Sequence, residues 1–168
     1  MLFRSIRQLG LSSLVYPGAV HTRLQHSIGA YHLMSEALKT LAEKGIFIFD
    51  VEVEAAQAAI LLHDIGHCAF SHVLERVFLP DVTHENITLQ MIERMNKAFK
   101  GALTLAIELL SADCKKPFLH ELICSQLDVD RLDYLCRDSF FTGVREGNIG
   151  AARIIRTLNV FDDHLVVE

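Results

Sequence analysis

The sequence is short of most features that would point away from a single packed domain. Tryptophan is absent, and three prolines with nine glycines in 168 residues are too few for a low-complexity or collagen-like segment. No apolar run approaches the roughly 18 residues that a membrane-spanning helix needs. Basic excess is missing as well: the formal charge of −5 excludes a surface that holds nucleic acid by bulk attraction, so any anion site must be local. Paired cysteines are lacking too. Cys68, Cys124, Cys114 and Cys136 form no CxxC motif, and buried free thiols in a reducing, cytoplasmic compartment are expected. Acidic residues are missing from the first 35 positions, which carry Arg4, Arg7 and Arg23 and so look superficially like a transit peptide.

What is present is a hydrophobic share of 51% with 22% charged residues, the profile of one compact soluble domain over residues 1–168. Helical periodicity dominates. Leu24, Ile28, Tyr31, Leu38 and Leu41 mark one amphipathic helix that stops at Gly45. A second begins with Asp50 as N-cap, runs to Leu62 and, being apolar almost all round, is expected to be buried. Gly66 closes it. A helix ending at Pro80 follows, then one capped by Thr83, and further helices over Ala102–Leu110, Phe118–Leu127, Arg131–Arg137 and Ile149–Leu158. The tail reads as a hairpin, Asn159–Phe161 and Leu165–Val167, around the polar turn Asp162-Asp163-His164. The expected fold is an all-α bundle with a small C-terminal β-hairpin.

Seven of the nine histidines fall between positions 21 and 84, most tightly in His63-Asp64-Ile65-Gly66-His67. His63 and Asp64 stand at the end of an apolar helix, where buried polar groups are costly unless paired or bound to a cation. Imidazole suits a transition metal and carboxylate a harder one, so the pair makes a mixed site for iron, manganese, zinc or nickel, with magnesium also open. The plainer alternative is a helix-end histidine beside a loop-capping aspartate. Two residues cannot hold a metal alone; His26 and Asp130 are the best further candidates, lying on other helices. His21, His32, His120 and His164 are expected to be ordinary core or surface residues.

Arg23-Leu24-Gln25-His26-Ser27-Ile28-Gly29, Leu61-Leu62-His63-Asp64-Ile65-Gly66-His67 and Asp128-Val129-Asp130-Arg131-Leu132-Asp133-Tyr134 together resemble the ordered motifs of the HD-domain metal-dependent phosphohydrolases. The closer resemblance is to the deoxynucleoside triphosphate triphosphohydrolase branch, and it runs from Gln8 to about Arg156. It implies that His26, His63, Asp64 and Asp130 bind a divalent metal. It implies that His67, His72 and His84 work near the reacting phosphate, with Glu75 and Glu85 as their acidic partners. Arg23 and Arg131 match phosphate-holding positions, Tyr134 and Asp138 positions near the sugar, and Gln8 with Leu9 the segment that reads deoxyribose. A cleaved transit peptide is therefore not expected.

The activity implied is hydrolysis of deoxynucleoside triphosphates to deoxynucleoside and triphosphate by metal-activated water. The alternatives are hydrolysis of another phosphomonoester or phosphodiester, and a noncatalytic module that binds metal and nucleotide. Members of the family are usually longer, with a helical lobe after the hairpin that completes the base pocket and oligomer interface. This chain is accordingly expected to lack that lobe and, with apolar surface left exposed, to associate as a homo-oligomer.

Overall fold

The computed structural model describes residues 3–70 and 83–168. Seven α-helices occupy the described residues: α1 Arg23–Glu43, α2 Asp50–Leu62, α3 His84–Ala98, α4 Thr104–Leu110, α5 Pro117–Glu121, α6 Val129–Thr142 and α7 Ala151–Thr157. An antiparallel hairpin, β1 Leu158–Phe161 with β2 His164–Val167, ends the chain, so the all-α fold with a terminal hairpin is as expected. The helix expected before Pro80, with His72 and Glu75, lies outside the described residues.

Helix α1 is set at both ends by local chemistry. Thr22 accepts from the Gln25 amide at 3.3 Å while the Thr22 amide donates to Gln25 Oε1 at 2.8 Å, a reciprocal cap. At the other end Gly45 takes φ +89°, a left-handed conformation cheap for glycine, and the Ile46 amide reaches back to the Leu41 carbonyl at 3.0 Å. Helix α2 is capped differently from the expectation. Phe49, not Asp50, is the capping position, and its amide donates to Glu52 Oε2 at 2.9 Å. Nor is α2 buried all round: Ala55, Ala56, Ala59 and Ile60 face inward, while Val51 in the first turn is exposed.

Other boundaries differ as well, the expected Ala102 and Ile149 starts falling at Thr104 and Ala151 and Leu158 opening β1. The helix expected over Phe118–Leu127 is only Pro117–Glu121, because the chain must turn so that Asp128 can cap α6. Asp128 Oδ1 accepts from the Arg131 amide at 2.7 Å and its Oδ2 from the Ser125 amide at 2.8 Å. With that cap α6 starts at Val129, earlier than expected, and continues to Thr142. The hairpin turn is also tighter: Asp162 and Asp163 both have positive φ, and His164 is the first residue of β2, paired with Phe161.

The core is built on α1. Its Ala30, Met34, Ala37, Leu38 and Leu41 share one buried cluster with Ala56, Ala59 and Ile60 of α2, Leu109 of α4, Phe118 and Leu119 of α5, Leu132 of α6 and Ile155 of α7. Phe118, Met34, Leu41 and Ile60 are among its largest fully buried side chains. The four cysteines are free as expected but none is fully buried: Cys114 and Cys136 are half-buried, and Cys68 and Cys124 are exposed, one in the loop after α2 and the other after α5. No described helix is long and apolar enough to cross a membrane.

Candidate metal centre and cleft

Three ligand-type atoms from three helices fall together. His26 comes from the first turn of α1, His63 directly follows α2, and Asp130 is the second residue of α6. His26 Nε2 lies 2.8 Å from Asp130 Oδ1 and 3.4 Å from His63 Nε2, and the latter lies 3.3 Å from the same carboxylate oxygen. These atoms could hold one metal ion.

Both imidazoles are turned inward by what their other nitrogen does. His63 Nδ1 donates to the Ile60 carbonyl at 2.6 Å, one turn back along α2. His26 Nδ1 donates to Asp133 Oδ2 at 2.8 Å, and Asp133 is gripped by Arg137 through bonds of 2.8 and 2.7 Å. Each histidine therefore turns Nε2 toward the centre, the arrangement in which an outer hydrogen bond fixes a ligand's orientation. Gly29 makes room for this. A Cβ there would stand 2.0 Å from both Asp133 Oδ1 and Arg137 Nη2.

Charge is matched around the centre, by guanidinium groups at two carboxylates and by imidazoles at the third. Arg137 answers Asp133, and Arg23 Nη1 answers Asp64 Oδ2 at 2.5 Å. Asp130 has no Lys or Arg ion pair among the described residues, only the two imidazoles. Burial opposes charge on His26, but hydrogen bonds to Asp130 and Asp133 outweigh it and raise its pKa to about 9. Burial opposes charge on His63 likewise, and Asp64 and Asp130 push its pKa up nonetheless. For Asp130, burial is outweighed by the two histidines, which hold the carboxyl well below its ordinary range. One carboxylate beside two imidazoles whose Nδ1 atoms are already engaged is a donor set that suits a divalent transition cation.

Asp64 adjoins this group rather than standing within it. Its Oδ2 takes the Arg23 bond, and its Oδ1 lies 3.5 Å from His63 Nε2 and 3.4 Å from His67 Nε2. The turn that carries it is clasped by α3: the Thr88 hydroxyl donates to the His63 carbonyl at 3.0 Å and accepts from the Gly66 amide at 3.0 Å. Gly66 is required for that approach, since a Cβ would sit 2.3 Å from the His84 carbonyl oxygen. The same contact stacks the His67 and His84 rings, 3.8 Å between centroids and 16° apart. His84 Nε2 in turn lies 3.2 Å from Glu85 Oε1.

A cleft of about 640 Å³ opens over the centre. His63, Asp64 and Asp130 line it, His67, His84 and Glu85 form part of its wall, and Gln8, Leu9, Arg23, Tyr134 and Asp138 also face it. His26 lies behind them, fully buried. Arg131 is not brought there: it is exposed and does not line the cleft. His72 and Glu75 lie outside the described residues.

Residues 23–138 match the HD domain family. The chain belongs to that family. This HD-domain chain superposes with a TM-score of 0.96 on the crystal structure of a phosphohydrolase from Bacteroides thetaiotaomicron, 62% identical, covering 99% of this chain and 41% of that one. It is 36% identical to the uncharacterized protein YwfO of Bacillus subtilis, over 98% of this chain and 39% of YwfO. It is 29% identical to the deoxynucleoside triphosphate triphosphohydrolase SAMHD1 of Danio rerio, over 94% of this chain and 32% of that protein. The HD-domain chain thus spans about two fifths of the length of the Bacteroides and Bacillus proteins.

Sequence reasoning assigned no role to four residues of this HD-domain centre: Asp133, Arg137, Gly29 and Thr88. The first two stand at i+3 and i+7 from Asp130, and the sequence did place them on its side of the helix as a site requires, without showing what they hold. Gly29 and Thr88 carried no signal, because their roles exist only where two helices touch.

Proposed function

We propose that the chain is the catalytic core of a metal-dependent phosphohydrolase whose substrates are deoxynucleoside triphosphates, cleaved to deoxynucleoside and triphosphate. The observation that carries this reading is the convergence of His26, His63 and Asp130 beneath a cleft also lined by His67, His84 and Arg23. Its volume is within the range of small-ligand sites. Likeness to the triphosphohydrolase of Danio rerio supports the nucleotide as substrate.

His26, His63 and Asp130 would hold the cation, with Asp64 beside them, and the cation supplies Lewis acidity toward water and a phosphoryl oxygen. The protein's own groups do the rest. Arg23 stands at the cleft with its guanidinium on Asp64, so its positive charge faces a phosphate without leaving the carboxylate uncompensated. His84, held beside Glu85 and stacked on His67, is the group set to carry a proton toward the leaving oxygen. Gln8, Leu9, Tyr134 and Asp138 wall the part of the cleft that would receive sugar. Exposed Leu14, Val15 and Phe140 are apolar surface on which association into homo-oligomers would draw.

The test is a panel of deoxynucleoside triphosphates incubated with cation-loaded protein, with triphosphate resolved from single phosphate and Asp64→Ala as control. Triphosphate release that disappears in the control is the expected result. Single phosphate release, or turnover confined to other esters, would assign the same centre to another phosphomonoester or phosphodiester. A protein that binds cation and nucleotide without turnover would overturn the enzyme reading in favour of a noncatalytic module.

A further inference from the structure

His21 lies outside the metal centre, yet it is one of the most deeply buried polar side chains, 1% exposed. It immediately precedes the residue that caps α1. Its Nε2 lies 2.6 Å from Asp138 Oδ1, so the ring donates to that carboxylate. Its Nδ1 is buried with no hydrogen-bond partner among the described residues. Its ring stacks on Phe141 with 4.6 Å between centroids and 17° between planes. Its backbone carbonyl accepts the Gln8 amide at 3.0 Å. The preceding turn wraps the same end of α6, where a Cβ on Gly18 would stand 2.3 Å from the Phe141 carbonyl oxygen.

One buried residue is therefore joined to two residues on the cleft wall, Gln8 through its backbone and Asp138 through its ring. Gln8 Oε1 is itself buried with no partner among the described residues. An acceptor on the N-terminal segment and a carboxylate on α6 are thus set at one spacing by a residue that touches neither the cleft nor the metal ligands. We propose that His21 is a positioning residue that holds Gln8 and Asp138 in register and so sets how tightly the cleft grips its ligand. This rests on the phosphohydrolase reading for the identity of the ligand, but the coupling between the two walls does not depend on it.

The test compares His21→Phe, which keeps a flat ring against Phe141 and removes the donor, with His21→Gln, whose amide nitrogen restores a donor. Metal content, hydrogen exchange at the Gln8 amide and steady-state hydrolysis are read on the full chain. Loss of a hydrogen bond to a charged group is worth about a tenfold change. In His21→Phe, Gln8 exchange is expected to quicken about tenfold and KM to rise about tenfold, with kcat within about threefold of wild type and metal content unchanged. His21→Gln is expected to recover most of both. Unchanged Gln8 exchange and KM in His21→Phe would overturn the proposal, and so would metal loss in parallel, which marks a general structural role. Absence of turnover in the wild type would count against the phosphohydrolase reading alone, and the exchange comparison would still decide the role of His21.

Discussion

The first two turns of α1 and the longer run that follows, its polar and apolar halves, both bury side chains but of opposite chemistry. The first buries Arg23, His26 and Ser27; the second buries Ala30, Met34, Ala37, Leu38 and Leu41. The apolar half removes hydrocarbon from water within a cluster that draws on five other helices, so its residues each contribute stability in proportion to buried area. The polar half does the reverse. Its charged groups are desolvated, and their pairing with Asp64, Asp130 and Asp133 offsets that cost without a clear surplus. A helix that needed only to fold would carry the second pattern along its whole length. The first turns are built for what the imidazole of His26 and the guanidinium of Arg23 can do.

Substitutions should separate the halves cleanly. The largest effect is expected for Asp130→Asn, which removes the carboxylate that both imidazoles face: hydrolysis should fall by about a thousandfold or more, measured at saturating cation. Leu41→Ala should do the opposite, costing about 2–5 kcal/mol in denaturant unfolding while the folded protein keeps its full cation content. Metal loss in Leu41→Ala at temperatures where it remains folded would break the distinction.

Smaller changes sharpen the boundary between the halves. Asp133→Asn weakens the hold on His26 Nδ1 and should lower cation affinity by about 10–100-fold in equilibrium titration. Gly29→Ala sits where the halves meet; although alanine favours a helix by roughly 1 kcal/mol, its Cβ displaces the Asp133–Arg137 pair. Its expected signature is cation affinity reduced up to about tenfold. The smallest effect lies far from either half, at the hairpin, where His164 Nδ1 is 2.7 Å from Glu121 Oε1. Glu121 raises the His164 pKa, so this contact stabilises fully below about pH 6.5 and is lost as pH rises through the raised value. A thermal scan of Glu121→Gln should show a slight deficit against wild type at pH 6 that shrinks as pH rises through the raised His164 value, with cation affinity untouched.

The residue types of the candidate metal centre were legible in the sequence, and its geometry was not. His26, His63 and Asp130 could be singled out because polar groups on apolar helices demand a reason, and their motifs occur in order. Asp133 reads as another acid on a charged helix until α6 crosses α1 and brings it to His26 Nδ1. Arg131 shows the converse: its place in a motif suggested the cleft, but the Asp128 cap fixes the start of α6 so that Arg131 points outward. His21 looked like an ordinary histidine, since nothing local announces a partner 117 residues away. Helix interiors were legible from periodicity. Their ends were not where a cap outweighed it, as at α5, whose expected continuation becomes the turn that feeds Asp128.

The central claim is that the polar half of α1 exists to hold a cation through His26, together with His63 and Asp130. Equilibrium titration of the purified chain with divalent transition cations, beside Asp130→Asn, tests it most directly. Stoichiometric binding by the wild type, lost in a variant that still unfolds cooperatively within a few degrees of it, is the predicted result. A wild type that binds no cation, or an Asp130→Asn variant that binds it as tightly, would contradict the account.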